Sequence, residues 1–80
     1  MRIYITCELD EMTGQITHLD PYDNIESAIN RAKVIIQGKI DAEQRNDYLN
    51  KFEADANKYL RSGFTYEDQL GIVRIVVKDM

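Results

Sequence analysis

Apolar and polar residues alternate over the first nine positions of the chain, with the period of two that is typical of a β-strand. The apolar positions of this alternation are Ile3, Ile5, Cys7 and Leu9. Near the other end, residues 72–77 form a β-branched run that is interrupted only by Arg74. Because such a run is typical of a strand buried on both faces, we expect both strands to lie in one sheet.

A hairpin is expected near the start of the sequence. A polar turn that contains Gly14 follows the first strand, and residues 15–19 can return as a second strand. Pro21 lacks a backbone N–H and restricts the residue before it, so the second strand is expected to end at Asp20 and to lie at a sheet edge. Two alternatives remain for residues 64–66: they form either a short fourth strand or an irregular segment that leads to the last strand.

Apolar residues in the middle of the chain recur with the 3.6-residue period of two amphipathic helices. Asp23 and Asn24 are alternative caps for the start of the first helix, and Gly38 is a stop. The second helix is expected to follow Asp41 and to end at Gly63. The predicted buried positions are Ile25, Ala28, Ile29, Ala32, Ile35, Ile36 and Ile40 in the first helix, and Ala42, Tyr48, Leu49, Phe52, Ala56, Tyr59 and Leu60 in the second.

These elements predict an α+β fold, a ββααβ two-layer sandwich in a single domain over residues 1–80. A sheet of three strands, or of four if residues 64–66 pair, is covered on one face by a helical hairpin. The strand order is expected to be 2-1-3, with the last strand parallel to the first. Because Ile3, Ile5 and Cys7 should face the helices, the opposite, open face should carry a mixed set of side chains. That set is Tyr4, Thr6, Glu8, Arg74 and Val76.

The charge and the absence of targeting signals narrow the functional classes. Fourteen acidic and ten basic residues give a net charge of −4, which disfavours nonspecific attraction to nucleic-acid phosphates or anionic membranes. The chain shows neither a signal-peptide pattern nor an apolar run near the ~20 residues that span a bilayer. Cys7 is the only cysteine, so no disulfide can form within the chain. We therefore expect a cytoplasmic protein that binds neither membranes nor nucleic acid directly.

The sequence contains no motif that carries known chemistry. His18 is the only histidine, which excludes a catalytic triad and a histidine-rich metal site within one chain. Cys7 is expected to be buried, where thiolate formation is disfavoured. The four glycines are isolated and form no phosphate-binding loop. We expect a protein that is not an enzyme and that holds no cofactor or metal.

An interaction protein is the leading hypothesis, with three candidate contact surfaces: the open sheet face, the acidic hairpin tip and the outer side of the first helix. The candidate partner-binding residues are Tyr4, Thr6, Glu8, Asp10, Glu11, Arg31, Val34, Arg74 and Val76. In size, acidity and lack of motifs, the chain resembles the small phage-encoded inhibitors of host defence, anti-CRISPR proteins among them. That resemblance implies that it binds and blocks a larger macromolecule, either a protein or a protein–nucleic-acid complex.

Two alternatives belong to other functional classes. The order of two strands and a helix that begins Asp23-Asn24-Ile25-Glu26-Ser27-Ala28 resembles the opening of HicB-type antitoxins over about the first forty residues. This resemblance implies an antitoxin or a regulatory subunit. The other alternative is a very small enzyme whose site is shared across a homodimer, formed through a sheet edge.

Overall fold

A computed structural model covers residues 1–80 and contains four strands and two helices. In chain order these are β1 (Arg2–Leu9), β2 (Ile16–Tyr22), α1 (Ile25–Gln37), α2 (Ala42–Arg61), β3 (Tyr66–Glu67) and β4 (Val73–Asp79). The strands form one sheet in the order β2-β1-β4-β3, and all neighbours are antiparallel. The predicted α+β class is confirmed. Of the two alternatives for residues 64–66, the short fourth strand is the one present, and it lies slightly later, at residues 66–67.

The direction of the last strand differs from the prediction. β4 runs antiparallel to β1, with Ile75 opposite Thr6, and not parallel to it. The prediction was wrong because the chain reverses once more after α2: β3 passes along the sheet edge, and a turn at residues 68–71 sends the chain back as β4. Gly71 in this turn has a φ of +72°, which glycine adopts without strain.

β2 is an edge strand, as predicted, but it extends past Asp20 to Tyr22. The N–H of Leu9 donates to the carbonyl of Ile72, so alternate residues of β1 point their backbone groups toward β4 and the others toward β2. Ile5 directs its backbone groups toward β4, as Leu9 does. The backbone nitrogen of Pro21, which lies opposite Ile5 in β2, therefore points away from β1. The N–H that proline lacks would face solvent, so the sheet loses no hydrogen bond and the strand continues through Pro21.

The core lies between the helices and one face of the sheet. α1 packs against β1, β2 and β4, whereas α2 packs against α1 and β3. The amide oxygen of Asn24 caps α1 by accepting the N–H of Ser27 at 2.8 Å, so the second of the two predicted caps is used. In the predicted α2 stripe, Ala42 and Tyr59 are exposed instead of buried. The buried helical residues are Ala28, Ile29, Ala32, Ile35 and Ile36 in α1, and Leu49, Phe52, Ala56 and Leu60 in α2.

The two faces of β1 are inverted relative to the prediction. Tyr4 belongs to the core, and Thr6, which is 1% exposed, donates its hydroxyl to the carbonyl of Ala28 in α1 at 2.8 Å. Glu8 lies on the same side and pairs with Lys39, just beyond α1, at 3.2 Å. The prediction that these three β1 residues lie on the open face was wrong. Because a helix carbonyl satisfies the Thr6 hydroxyl, threonine is tolerated in the core.

Candidate interaction surface

The sheet face opposite the helices carries apolar side chains from three neighbouring strands. We call this the outer face. Strand pairing assigns its members, because paired residues project to the same side of a sheet. They are Ile3, Ile5 and Cys7 from β1, Leu19 and Pro21 from β2, and Arg74, Val76 and Lys78 from β4, with Glu67 from β3.

The apolar part of the outer face is covered by no helix. Leu19 is 54% exposed and Pro21 is exposed, while Ile3, Ile5 and Val76 are half-buried by their neighbours. In a sheet that is covered on one side, apolar and polar residues usually alternate along each strand, and the polar residues face the open side. Contiguous apolar side chains on an open face are therefore unusual, and such patches mark sites of interaction.

The outer face is locally positive on an acidic molecule. Arg74 donates from Nε and Nη2 to Oε1 of Glu67, at 3.0 and 2.7 Å. Lys78 forms no ion pair. The face thus holds two basic side chains and one acidic side chain, whereas the whole chain has a net charge of −4.

Cys7 is buried as predicted, but it lies on the outer face and not under the helices. Its side chain sits between Leu19 and Arg74 on the neighbouring strands, and the residue is 2% exposed. Burial raises the pKa of the Cys7 thiol, and the smaller, opposite effect of Arg74 does not cancel this. The thiol is therefore neutral at neutral pH and acts as a small apolar member of the face.

The predicted acidic surface lies at the β1–β2 turn. Oδ1 of Asp10 accepts the backbone N–H groups of Met12 and Thr13 at 2.8 and 3.1 Å, and these bonds lower the pKa of the Asp10 carboxyl. Glu11 is exposed beside it. Asp10 thus has a structural role in closing the turn, and this surface lies apart from the centre of the outer face.

The predicted helix surface belongs to the other layer of the molecule. Val34 is 56% exposed on α1, and Arg31 donates from Nε to Oδ2 of Asp20 at 3.0 Å. Of the nine predicted partner-binding residues, the structure brings only Arg74 and Val76 together on the outer face. Ile3, Ile5 and Cys7 were not predicted for this surface because their apolar character assigned them to the core, and Leu19, Pro21, Glu67 and Lys78 were assigned to neither face.

A buried carboxylate that was not among the predicted residues determines how β4 enters the sheet. Asp68 is 3% exposed and accepts the N–H groups of Leu70, Ile72 and Val73 at 3.2, 2.6 and 2.8 Å. It also accepts the hydroxyl of Tyr48 from α2, and burial together with this bond raises the pKa of the Tyr48 hydroxyl. Four donors satisfy the carboxylate, so its role is structural. The available sequence signal was an Asp placed to bond the backbone of a glycine-containing turn.

Comparisons with known proteins add no further assignment. No protein-family model, curated protein or solved structure matches this chain. No group of three or more His, Cys, Asp and Glu side chains is placed to hold a metal ion. Neither helix combines the length and apolar character needed to cross a membrane.

Proposed function

We propose that the protein is a small non-enzymatic binding protein, which holds a partner protein against its outer face and blocks the surface that it covers. The observation that carries this proposal is the apolar cluster contributed by three adjacent strands on a sheet face that no helix covers. The size and acidity of the chain favour a blocking role of the kind that small phage inhibitors play.

Covering this surface contributes favourable free energy to binding. Fully burying an exposed leucine or isoleucine contributes about 1.5–3 kcal/mol, so covering the half-exposed Leu19 contributes roughly 1 kcal/mol. Ile3, Ile5 and Val76 are partly shielded already and would add smaller amounts. A central apolar cluster beside charged side chains is the usual arrangement of a protein interface, in which the apolar centre supplies most of the affinity.

Capture from the native host with a matched pair of variants tests the proposal. Leu19→Asp and Val34→Asp each place a carboxylate at an aliphatic position, and the two residues are 54% and 56% exposed. Tagged wild-type protein and the Val34→Asp variant should recover the same partner, whereas Leu19→Asp should lose it. Circular dichroism and urea midpoints confirm that both variants are folded. Loss of the partner with Val34→Asp but not with Leu19→Asp would place the contact on α1 and refute the proposal.

A further inference from the structure

The geometry and charge of the outer face point to one kind of occupant. We infer that the face binds a single amphipathic helix of the partner, which lies along β1 with its apolar stripe inward and with carboxylates on the flank that faces β4. This inference rests on the proposed function, because it takes the outer face as the contact surface.

The dimensions of the apolar strip match one helix. Strands lie about 4.8 Å apart, so the strip formed by β2, β1 and β4 is about 14 Å wide. The eight residues of β1 extend about 26 Å at roughly 3.3 Å per residue. A helix with its side chains is about 10–12 Å in diameter, and about 17 residues span 26 Å. One helix therefore covers the strip along its whole length.

The charges of the strip lie on one side only. Arg74 and Lys78 project from β4, four residues and thus about 13 Å apart. Lys78 forms no ion pair, and Arg74, which holds Glu67 through Nε and Nη2, keeps Nη1 as a donor for a second carboxylate. On the other side of β1, β2 contributes Leu19 and Pro21 and no charged residue to this face. Helix residues seven positions apart lie on one face and are separated by about 10.5 Å, which the long Arg and Lys side chains can match. The expected partner helix thus carries two carboxylates, seven residues apart, on the β4 flank.

The same features disfavour two other occupants. A second copy of the chain would bring the same two cations to the interface, with Glu67 as the only acidic residue and already paired to Arg74. Addition of a partner strand to the edge of β2 is disfavoured because Pro21 offers no N–H on the solvent side of that edge. A helix packed on the face needs no backbone hydrogen bonds from the sheet.

A peptide selection tests this inference with the full chain. The probe is a displayed library of 18-residue amphipathic helices with a fixed apolar stripe and both polar flanks randomised. Selected peptides should carry Asp or Glu at two positions seven residues apart on one flank. Their dissociation constants, measured by fluorescence anisotropy, should increase about fivefold for Lys78→Glu, the effect of losing about 1 kcal/mol from an exposed ion pair.

A charge swap and a matched variant make the test specific. A selected peptide with its flank carboxylates replaced by lysine should bind Lys78→Glu better than it binds the wild type. Lys58→Glu makes the same charge change on α2 and should leave peptide binding unchanged. Leu19→Asp should abolish binding of all selected peptides.

The outcomes separate this inference from the proposed function. If selected peptides lose binding to Leu19→Asp but show no flank preference and no response to Lys78→Glu, the acidic helix is wrong and the outer face is still the contact surface. Enrichment of extended peptides, failure to enrich any helix, or a dimer by sedimentation that Leu19→Asp dissociates would also overturn the inference. Peptides that bind wild type and Leu19→Asp equally would count against both.

Discussion

The two faces of the same sheet are both apolar, but only one of them is covered within the chain. On the helix-covered face, Ile75 and Tyr4 are buried, and the hydroxyl of Thr6 is bonded to α1. On the outer face, the aliphatic side chains are shielded by one another, and the charged groups of β4 lie beside them. β1 thus has the composition of a strand between two layers, although the chain supplies only one. The missing second layer is the feature that a partner would provide.

The largest effect on the free energy of unfolding is expected at Asp68. Its carboxylate fixes the turn that leads into β4, and this turn sets which β4 residues lie on each face of the sheet. Asp68→Ala leaves buried N–H groups without an acceptor and should lower the free energy of unfolding by about 4 kcal/mol. Glu67→Ala, at the exposed neighbour, should cost less than about 1 kcal/mol. Urea denaturation followed by circular dichroism measures both. Equal effects would mean that the buried carboxylate does not hold this turn.

Adjacent positions on β4 compare the two faces directly. Ile75→Ala removes a side chain from the core and should lower the free energy of unfolding by about 3 kcal/mol. Val76→Ala removes a half-buried side chain from the outer face and should cost about 1 kcal/mol or less. The measurement is the urea midpoint at constant m-value. A larger loss for Val76→Ala would show that the faces are assigned the wrong way round.

Two threonine hydroxyls differ in the same way, with a smaller expected effect on stability. Thr6→Val removes the hydrogen bond to Ala28 inside the core and should change the free energy of unfolding by about 1 kcal/mol. Thr17→Val removes a similar side-chain bond, to the carbonyl of Glu8, at the exposed edge and should change it by less than about 0.5 kcal/mol. Thermal unfolding of the two variants provides the measurement. Thr6 would not face α1 if the two changes were indistinguishable.

The smallest effect on stability is expected at Asp10, in the exposed turn between β1 and β2. Because two backbone N–H groups lower the pKa of Asp10 below its usual value of 3.8, the ionised carboxylate stabilises the folded state above that pH. This stabilisation is lost as the pH falls through the lower, folded-state pKa. Asp10→Asn should therefore reduce the loss of stability between neutral and acidic pH, measured as urea midpoints across that range. An unchanged pH profile would contradict this role of Asp10.

The helices could be predicted well from the sequence, and the sheet only in part. The buried residues of α1 follow from the 3.6-residue period, because its other side is largely polar. Period-two alternation could not distinguish the faces of β1, since the ring of Tyr4 and the satisfied hydroxyl of Thr6 are both compatible with a core. The direction of β4 depended on the turn that Asp68 holds. The local pattern shows an Asp before a glycine-containing turn, but it does not show the tertiary contact between Asp68 and Tyr48.

The residues of the outer face were predicted only in part, because alternation alone does not show which side of β1 faces the helices. Arg74 and Val76 were correctly placed on the open side, because they alternate along β4 with the buried Val73 and Ile75. The aliphatic residues of β1 were assigned to the core on hydropathy alone. One signal was available in the sequence. The strands have enough apolar positions to line both faces of the sheet, whereas the two helices can cover only one face.

Methyl NMR of the protein labelled at Ile, Leu and Val tests directly whether the outer face is the contact surface. On titration with the captured partner, the methyl resonances of Ile3, Ile5, Leu19 and Val76 should shift or broaden most. The methyl groups of Val34 on α1 should be unchanged. Perturbations centred on Val34, with the outer-face methyl groups unaffected, would contradict the account.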